Sequence, residues 1–436
     1  MSWHNMIPLV FWLTASVMTA KDLPPIPELL QPYRGERASG VDVSTLMGKV
    51  MCGYQGWFTT GADGSAFPWN HWTTDRKIPS PANIRVDLWP DMREYGPEER
   101  YETAFLDAGK KPAVVFSSLQ ETTVDRHFSW MREYGIDGAF VQRFVTGLTD
   151  PRMFQVRTTV LSHCRMAANR HGRSYGVMHD LSGLKRGGTA QVCEDWRKLS
   201  EQMKITGDAS YQRHRGKPLV AVWGIGFSDN REYTLDECRV LLDFFREQGC
   251  TVMIGVPTRW RESRADAVND PKLLELMAAA DIVSPWSVGR YGTDAEARRH
   301  GETLQKDIAW CAEKKIDYLP VVFPGFSWHN MKPEAKFDAI PRRGGQFLWT
   351  QCVTAKKSGA GMLYVAMFDE VDEGTAIFKC DPYPPQIDGC RFVCEPHLPS
   401  DHYLKVTGAA GLLMQGKITD VEQVHEALQR AAVLRK

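Results

Sequence analysis

The sequence has no surplus charge of either sign: 53 Lys and Arg balance 53 Asp and Glu over 436 residues. A nucleic-acid or anionic-membrane partner calls for a positive excess, so neither is expected. Long hydrophobic runs are missing as well. The apolar stretch near the N-terminus, Ile7 to Met18, is too short to span a bilayer, and no later stretch is long and apolar enough. It sits where a secretory h-region would and stops at Thr19-Ala20-Lys21, ahead of Asp22-Leu23-Pro24-Pro25-Ile26-Pro27. Residues 1–20 therefore read as a signal peptide cut after Ala20, and the mature protein as exported, periplasmic or extracellular. Cysteine is sparse: ten residues are too few and too scattered for a disulfide scaffold, and none makes the C-x-x-C spacing of a zinc or redox motif. Cys380, Cys390 and Cys394 cluster in one proline-rich loop, where two of them are placed to pair in an oxidising compartment. A nucleophile elbow, a P-loop, a His-Glu-x-x-His and a Gly-x-Gly-x-x-Gly after the first strand are all absent, which removes the simplest esterase, phosphotransferase, zincin and dinucleotide-binding readings. No repeat, low-complexity segment or clear interdomain linker occurs.

What is present is an apolar run that ends in acid. Tyr364-Val365-Ala366-Met367-Phe368 is followed at once by Asp369-Glu370-Val371-Asp372-Glu373-Gly374-Thr375. The apolar part reads as a strand buried on both faces. Four repelling carboxylates at its end need solvent, cations or a site that uses their pKa differences. Aromatic residues are plentiful, with 14 Trp, 13 Tyr and 19 Phe; most serve the core, but Trp also suits the apolar face of a sugar ring.

The fold class follows from alternation. Strand-like runs at 50–54, 138–144, 174–179, 218–223, 251–256, 281–286, 318–323 and 361–368 are separated by helix-like stretches at 123–131, 151–171, 189–205, 235–248, 271–280, 303–315 and 344–358. About eight such units make an α/β protein, a single (β/α)8 TIM barrel. The run 112–118 is placed outside the barrel, in a long polar and aromatic loop after the first strand that includes Trp69, His71, Trp72 and Asp87. The expected organisation is a lead-in at 21–48, a barrel at 49–405 and a short C-terminal helical extension at 406–436.

Active sites of such barrels form at the C-terminal ends of the strands. Those ends supply Tyr54, Gln55 and Trp57, then Gln142 and Arg143, His179 and Asp180, Trp223, Arg259, Trp286 and Arg290, Trp328 and His329, and finally the acidic cluster. Aromatic, amide and carboxylate side chains together suit a polyol. Glu370 and Glu373, three residues apart, project to one side of a tight turn, and two carboxyls are the minimum machinery for glycoside hydrolysis. Asp180 either binds a hydroxyl or caps the next turn. Trp223 and Trp286 are stacking platforms or core. Arg259 and Arg290 balance the carboxylates or meet an acidic sugar substituent, and His329 is expected to be structural.

Glu370-Val371-Asp372-Glu373-Gly374-Thr375 resembles the Glu-Trp-His-Glu-Gly-Thr motif of glycoside hydrolase family 99, the endo-α-mannosidases and endo-α-mannanases, and of proteins linking it to family 71. Gly53-Tyr54-Gln55-Gly56-Trp57-Phe58, Gly138-Ala139-Phe140-Val141-Gln142-Arg143-Phe144 and His179-Asp180-Leu181-Ser182-Gly183 look like the same group. The resemblance implies a monomeric, cofactor-free, metal-independent, retaining endo-glycosidase acting on an oligo- or polysaccharide. By position it makes Glu370 the base toward the sugar 2-hydroxyl and Glu373 the general acid and then base. It also implies that Val371 and Asp372, where the motif has Trp and His, shape the sugar site; the charge of Asp372 is expected to raise the pKa of Glu373. Two other classes remain open: a metal-dependent hydrolase using Asp369, Asp372, Glu373 and His179, and a carbohydrate-binding protein without turnover.

Overall fold

The computed structural model describes residues 22–435 with the exception of Asp388; the expected signal peptide lies outside the described residues. Eight strands build the wall: β1 (Val50–Tyr54), β2 (Gly138–Phe144), β3 (Ser174–Asp180), β4 (Lys217–Trp223), β5 (Thr251–Pro257), β6 (Ile282–Trp286), β7 in two pieces (Asp317–Tyr318 and Val321–Val322) and β8 (Leu363–Val365). Each neighbour in the ring is parallel. The first piece of β7 pairs with β6 and the second with β8, so the ring closes through this strand. The interruption follows from Pro320, which has no N–H to continue the ladder. Leu319 N–H still donates to Val283 O at 3.0 Å, and Tyr364 N–H to Pro320 O at 3.0 Å.

Helices α1 (Glu121–Glu133), α2 (Pro151–His171), α3 (Ala190–Arg197), α4 (Leu235–Glu247), α5 (Lys272–Ala278), α6 (Asp294–Glu313) and α7 (Gln346–Lys357) follow the first seven strands. The local chemistry sets their ends. At the start of α2 the Asp150 carboxylate accepts from Arg152 N–H with Pro151 in the first turn, and Gly172, at φ 62°, ends it. Thr234 and Glu237 form a capping box that opens α4. Helix α6 begins well before the expected residue 303, because Thr293 caps a polar first turn that shows no apolar period. The eighth helix, α8 (His402–Met414), packs on β1 and α7. Its Leu404, Val406, Ala409 and Ala410 are fully buried, so the barrel's last helix runs across residue 405, where the sequence suggested a boundary. One more helix, Val424–Leu434, follows. The run 112–118 is outside the barrel as expected: Pro112–Val115 pairs antiparallel with Tyr101–Leu106.

Strand alternation divides the interior into two cores. Met51, Phe140, Met178, Leu219, Met253 and Tyr364 fill the lumen. Cys52, Tyr54, Val141, Tyr175 and Val177 pack outward under the helices. All ten cysteines are unpaired thiols, those of the 380–394 loop included. Among the described residues no helix is long and apolar enough to cross a membrane.

Candidate active site

After β8 the chain makes one wide turn. Thr375 N–H and Ala376 N–H both donate to Glu370 O, at 3.2 and 3.1 Å. Gly374 sits at φ 67°, where a Cβ would lie 2.8 Å from Ser327 N, so both the conformation and the close approach call for glycine. This turn leaves Glu373 half-buried and buries the side chains before it. Asp369 is fully buried and accepts from the backbone N–H groups of Gln55 (2.7 Å) and Gly56 (2.9 Å), which fastens the β8 end to the β1 end. Glu370 accepts from Gln55 Nε2 at 2.5 Å and from Thr375 Oγ1 at 2.6 Å. No group among the described residues donates to the Glu373 carboxyl.

Burial, the Glu373 charge and the Asp372 charge push Glu370 well above the usual carboxylate range. Burial and then Asp372 push Glu373 up to about 7, against the opposing charges of Arg85 and Lys332. The effect of Asp372 on Glu373 is the one the sequence led us to expect. Asp369 is pushed up to about 7 by burial, in spite of its two backbone donors. Folding therefore tightens proton binding at Asp369. The stability this gives is complete below about pH 4 and is lost as pH rises through about 7, a span worth roughly 4 kcal/mol. The melting temperature should fall between pH 5 and 8, and Asp369→Asn should flatten that fall; a fall of equal slope in the variant would rule this cause out.

The long loop after β1 supplies what sequence reasoning missed. It is tied down by Asp87, fully buried, which accepts from His329 N–H and Asn330 N–H at 2.8 Å each and from the Ser327 hydroxyl. Asp87 and Leu88 N–H groups both donate to Val371 O, at 3.0 and 3.1 Å. Val371 is thus covered and belongs to the outer core, so it does not shape a sugar site as the motif comparison implied. Asp372 does face the site: its Oδ2 meets Nδ1 of His71 at 2.8 Å and Arg85 Nε at 4.0 Å. The imidazole of His71 stacks on Trp57 at 3.7 Å between centroids, and Phe144 stacks on Trp57 at 5.2 Å. Burial holds His71 below the ordinary histidine range in spite of Asp372, which keeps it neutral with Nδ1–H donating. A histidine absent from the motif is therefore returned to it by a residue 301 positions away. Only its place in a conspicuous Trp-x-His-Trp string marked it in the sequence.

Beside this assembly lies a cavity of about 290 Å³ lined by Gln55, Trp57, His71, Gln142, Phe144 and Arg157, among others. The polar groups around it are underused. Gln55 Oε1, Gln142 Oε1, Trp57 Nε1 and Asp372 Oδ1 are buried without a hydrogen-bond partner. Gln142 spends only its amide N–H₂, on Tyr364 Oη at 3.1 Å and Met178 Sδ at 3.0 Å.

Three of the expected site residues are on the wrong side of the wall. Tyr54, Arg143 and His179 have outward parity. The Tyr54 hydroxyl is bonded to His127 Nδ1 at 2.8 Å, and His127 Nε2 in turn to Tyr95 Oη at 2.8 Å. Arg143 grips both oxygens of Asp195 at 2.6 Å, and His179 Nε2 donates to the same carboxylate at 3.0 Å. His179 therefore cannot join Asp369, Asp372 and Glu373, and the metal-ligand set considered from sequence is not assembled. Arg259 and Arg290 do not balance the acidic cluster either: Arg290 pairs with Asp266 at 2.8 Å and Arg259 with Glu262 at 3.4 Å. Gln55, Gln142, Asp180, Trp223 and Trp286 have the inward parity expected of them. Asp180 accepts from Ser182 N–H at 2.7 Å, the capping role, with its second oxygen left over. Trp223 and Trp286 meet edge to face at 5.4 Å, half-buried at the lumen mouth. His329 is structural, its Nδ1 donating to Ala335 O at 2.8 Å.

No protein-family model matches the chain, and no curated protein is similar to it in sequence. Among solved structures it is similar to the GH99 endo-alpha-mannosidase from Bacteroides thetaiotaomicron, with a TM-score of 0.62 and 15% identity, covering 85% of this chain and 99% of that one. The structure of that enzyme in complex with Bis-Tris propane gives a TM-score of 0.62 and 15% identity, covering 85% of this chain and 98% of that one. What is shared at this identity is the fold, a (β/α)8 barrel like that of the family 99 glycoside hydrolases.

Proposed function

We propose that the protein is a glycoside hydrolase that cleaves α-linked glycans with Glu373 as general acid and Glu370 as base. The observation that carries this is the pairing of two mutually repelling glutamates, Glu370 buried and Glu373 half-buried, with a cavity whose amide and indole groups lack partners. Hydroxyls of a sugar would complete those groups, each of which costs free energy while unpaired.

Hydrogen bonding assigns the roles. Glu370 accepts two hydrogen bonds, which favour its ionised form, while Glu373 accepts none and lies close to the charge of Asp372. Each charge raises the other's proton affinity, so the pair holds a proton near neutrality, and Glu373, whose carboxyl accepts no hydrogen bond, is the one free to deliver it. Protonation of the glycosidic oxygen by Glu373 would release the leaving group. Glu370 would draw the proton from the sugar 2-hydroxyl, whose oxygen closes on the anomeric carbon; water, deprotonated by Glu373, would then attack that carbon and break its bond to O2, with Glu370 returning its proton to O2. Two displacements at one carbon retain its configuration, and neither step calls for a metal. The same reading includes export, which the apolar stretch at residues 7–18 supports.

The test is incubation with α-mannans and α-glucans, with and without a chelator, followed by reducing-end detection and NMR of the first anomer formed. Chelator-resistant product of retained configuration is expected. An inverted first product rules out the two-step route, and glycan binding by calorimetry without product over days identifies a binding protein instead.

A further inference from the structure

The cavity holds one charge the proposed chemistry does not use. Arg157, on the inner part of α2, lines it together with Gln55, Trp57, His71, Gln142 and Phe144. Its guanidinium lies over the Phe144 ring, 5.4 Å from the centroid. It takes part in no hydrogen bond or ion pair among the described residues, and Nη1 is buried without a partner. Its neighbours are differently placed: Arg143 is fastened to Asp195, and Arg231 to Asp229 and the Tyr233 hydroxyl. Burial and the repulsion of Arg143 push Arg157 down to about 9, against the charges of Asp180 and Asp195, neither of which bonds to it.

A guanidinium is made to hold a planar oxyanion with two parallel N–H groups. Ring stacking leaves those donors empty, so contact with Phe144 does not account for its position. A second cavity on the same face, lined by Arg259, Arg290 and Arg299, offers no comparable vacancy, because these already hold Glu262, Asp266 and Glu296. Nor does the acidic cluster forbid an anion here. Its two raised glutamates share a proton near neutrality, which lowers their combined charge, and Gln55, Trp57 and Gln142 line the space beside Arg157.

We propose that the substrate is an acidic glycan whose oxyanion, a uronate carboxylate, a sulfate or a phosphate ester, pairs with Arg157 in the cavity beside Glu370. This rests on the glycosidase reading and adds the substrate class to it. The probes are α-manno- and α-gluco-oligosaccharides, the same chains oxidised to uronates, and their sulfate and phosphate esters, titrated into the full-length protein and into Arg157→Gln and Arg157→Lys. The wild type should bind at least one acidic series about tenfold or more tightly than its neutral parent. Arg157→Gln should lose that preference, the ratio of acidic to neutral binding falling to about one, and Arg157→Lys should keep part of it. Preference for a single oxyanion supports the proposal and names the group. Equal binding of neutral and acidic chains by the wild type, or a preference that survives in Arg157→Gln, overturns it. Failure to bind any of the probes overturns the α-glycan reading itself, and this inference with it.

Discussion

Glu373→Gln should lower glycan cleavage by roughly 10³-fold or more while raising the melting temperature. The two effects have one cause. Glu373 is pushed up to about 7 because ionising it near Asp372 and away from water is unfavourable. Glutamine has nearly the same shape and cannot ionise, so above pH 7 the variant is spared a charge the folded state disfavours. It also cannot protonate a leaving oxygen. Glu370→Gln should lose activity to a similar extent with a smaller gain in stability, since its new amide N–H₂ would face Gln55 Nε2 or the Thr375 hydroxyl. Reducing-end assays and thermal scans at pH 8 check both. Activity retained in Glu373→Gln would move the acid elsewhere; lower melting temperatures in both variants would make the pair a structural element.

The barrel was legible because its signals are local. The bounds of β1, β2 and α2 follow from runs of apolar residues with an aspartate, a proline and a glycine at the helix ends, and the structure places them at the residues expected. What the sequence hid was direction and distance. Gln142 and Arg143 are adjacent, yet one reaches the lumen and the other the helix layer; a continuous apolar strand buried on both faces carries no alternation to say which is which. The errors at Tyr54, Arg143 and His179 share this origin, since each was judged by nearness to a strand end without its parity.

Distance hid the rest. His71 and Asp372 meet across 301 residues because Asp87 clamps the long loop to the segment after β7, a contact with no local signature. The acidic motif was recognisable, but its partners were not. The cations felt by Glu373 are Arg85 and Lys332, from two different loops, and neither stands at a strand end. The vacancy at Arg157 lies on a helix whose pattern reads as ordinary barrel packing.

Asp195→Ala should be among the most destabilising single changes in the protein, by about 3–5 kcal/mol, without touching the cavity. Its carboxylate, on α3, is the only acid bonded to both Arg143 from β2 and His179 from β3, all three being buried among the described residues. Removing it leaves the His179 N–H without an acceptor and the Arg143 guanidinium with only the Thr158 hydroxyl, at 3.2 Å. Replacing Arg143 and Asp195 together by Met and Leu should recover much of the loss, because a paired buried charge contributes little over a well-packed apolar pair. The pH dependence separates this from a simple packing defect. Burial alone would raise Asp195, but the attraction of Arg143 and the hydrogen bonds from His179 and Arg143 outweigh it and hold the carboxyl well below its usual range. Its stabilisation is thus present above about pH 4 and lost as pH falls through the folded value. Asp369 behaves oppositely, losing its contribution as pH rises through about 7. Wild-type stability should therefore peak near pH 4–5, between the two; Asp195→Ala should flatten the acid side and Asp369→Asn the alkaline side. Denaturant titrations from pH 3 to 8 measure both limbs, and an acid limb unchanged in Asp195→Ala would show that the triad does not carry it.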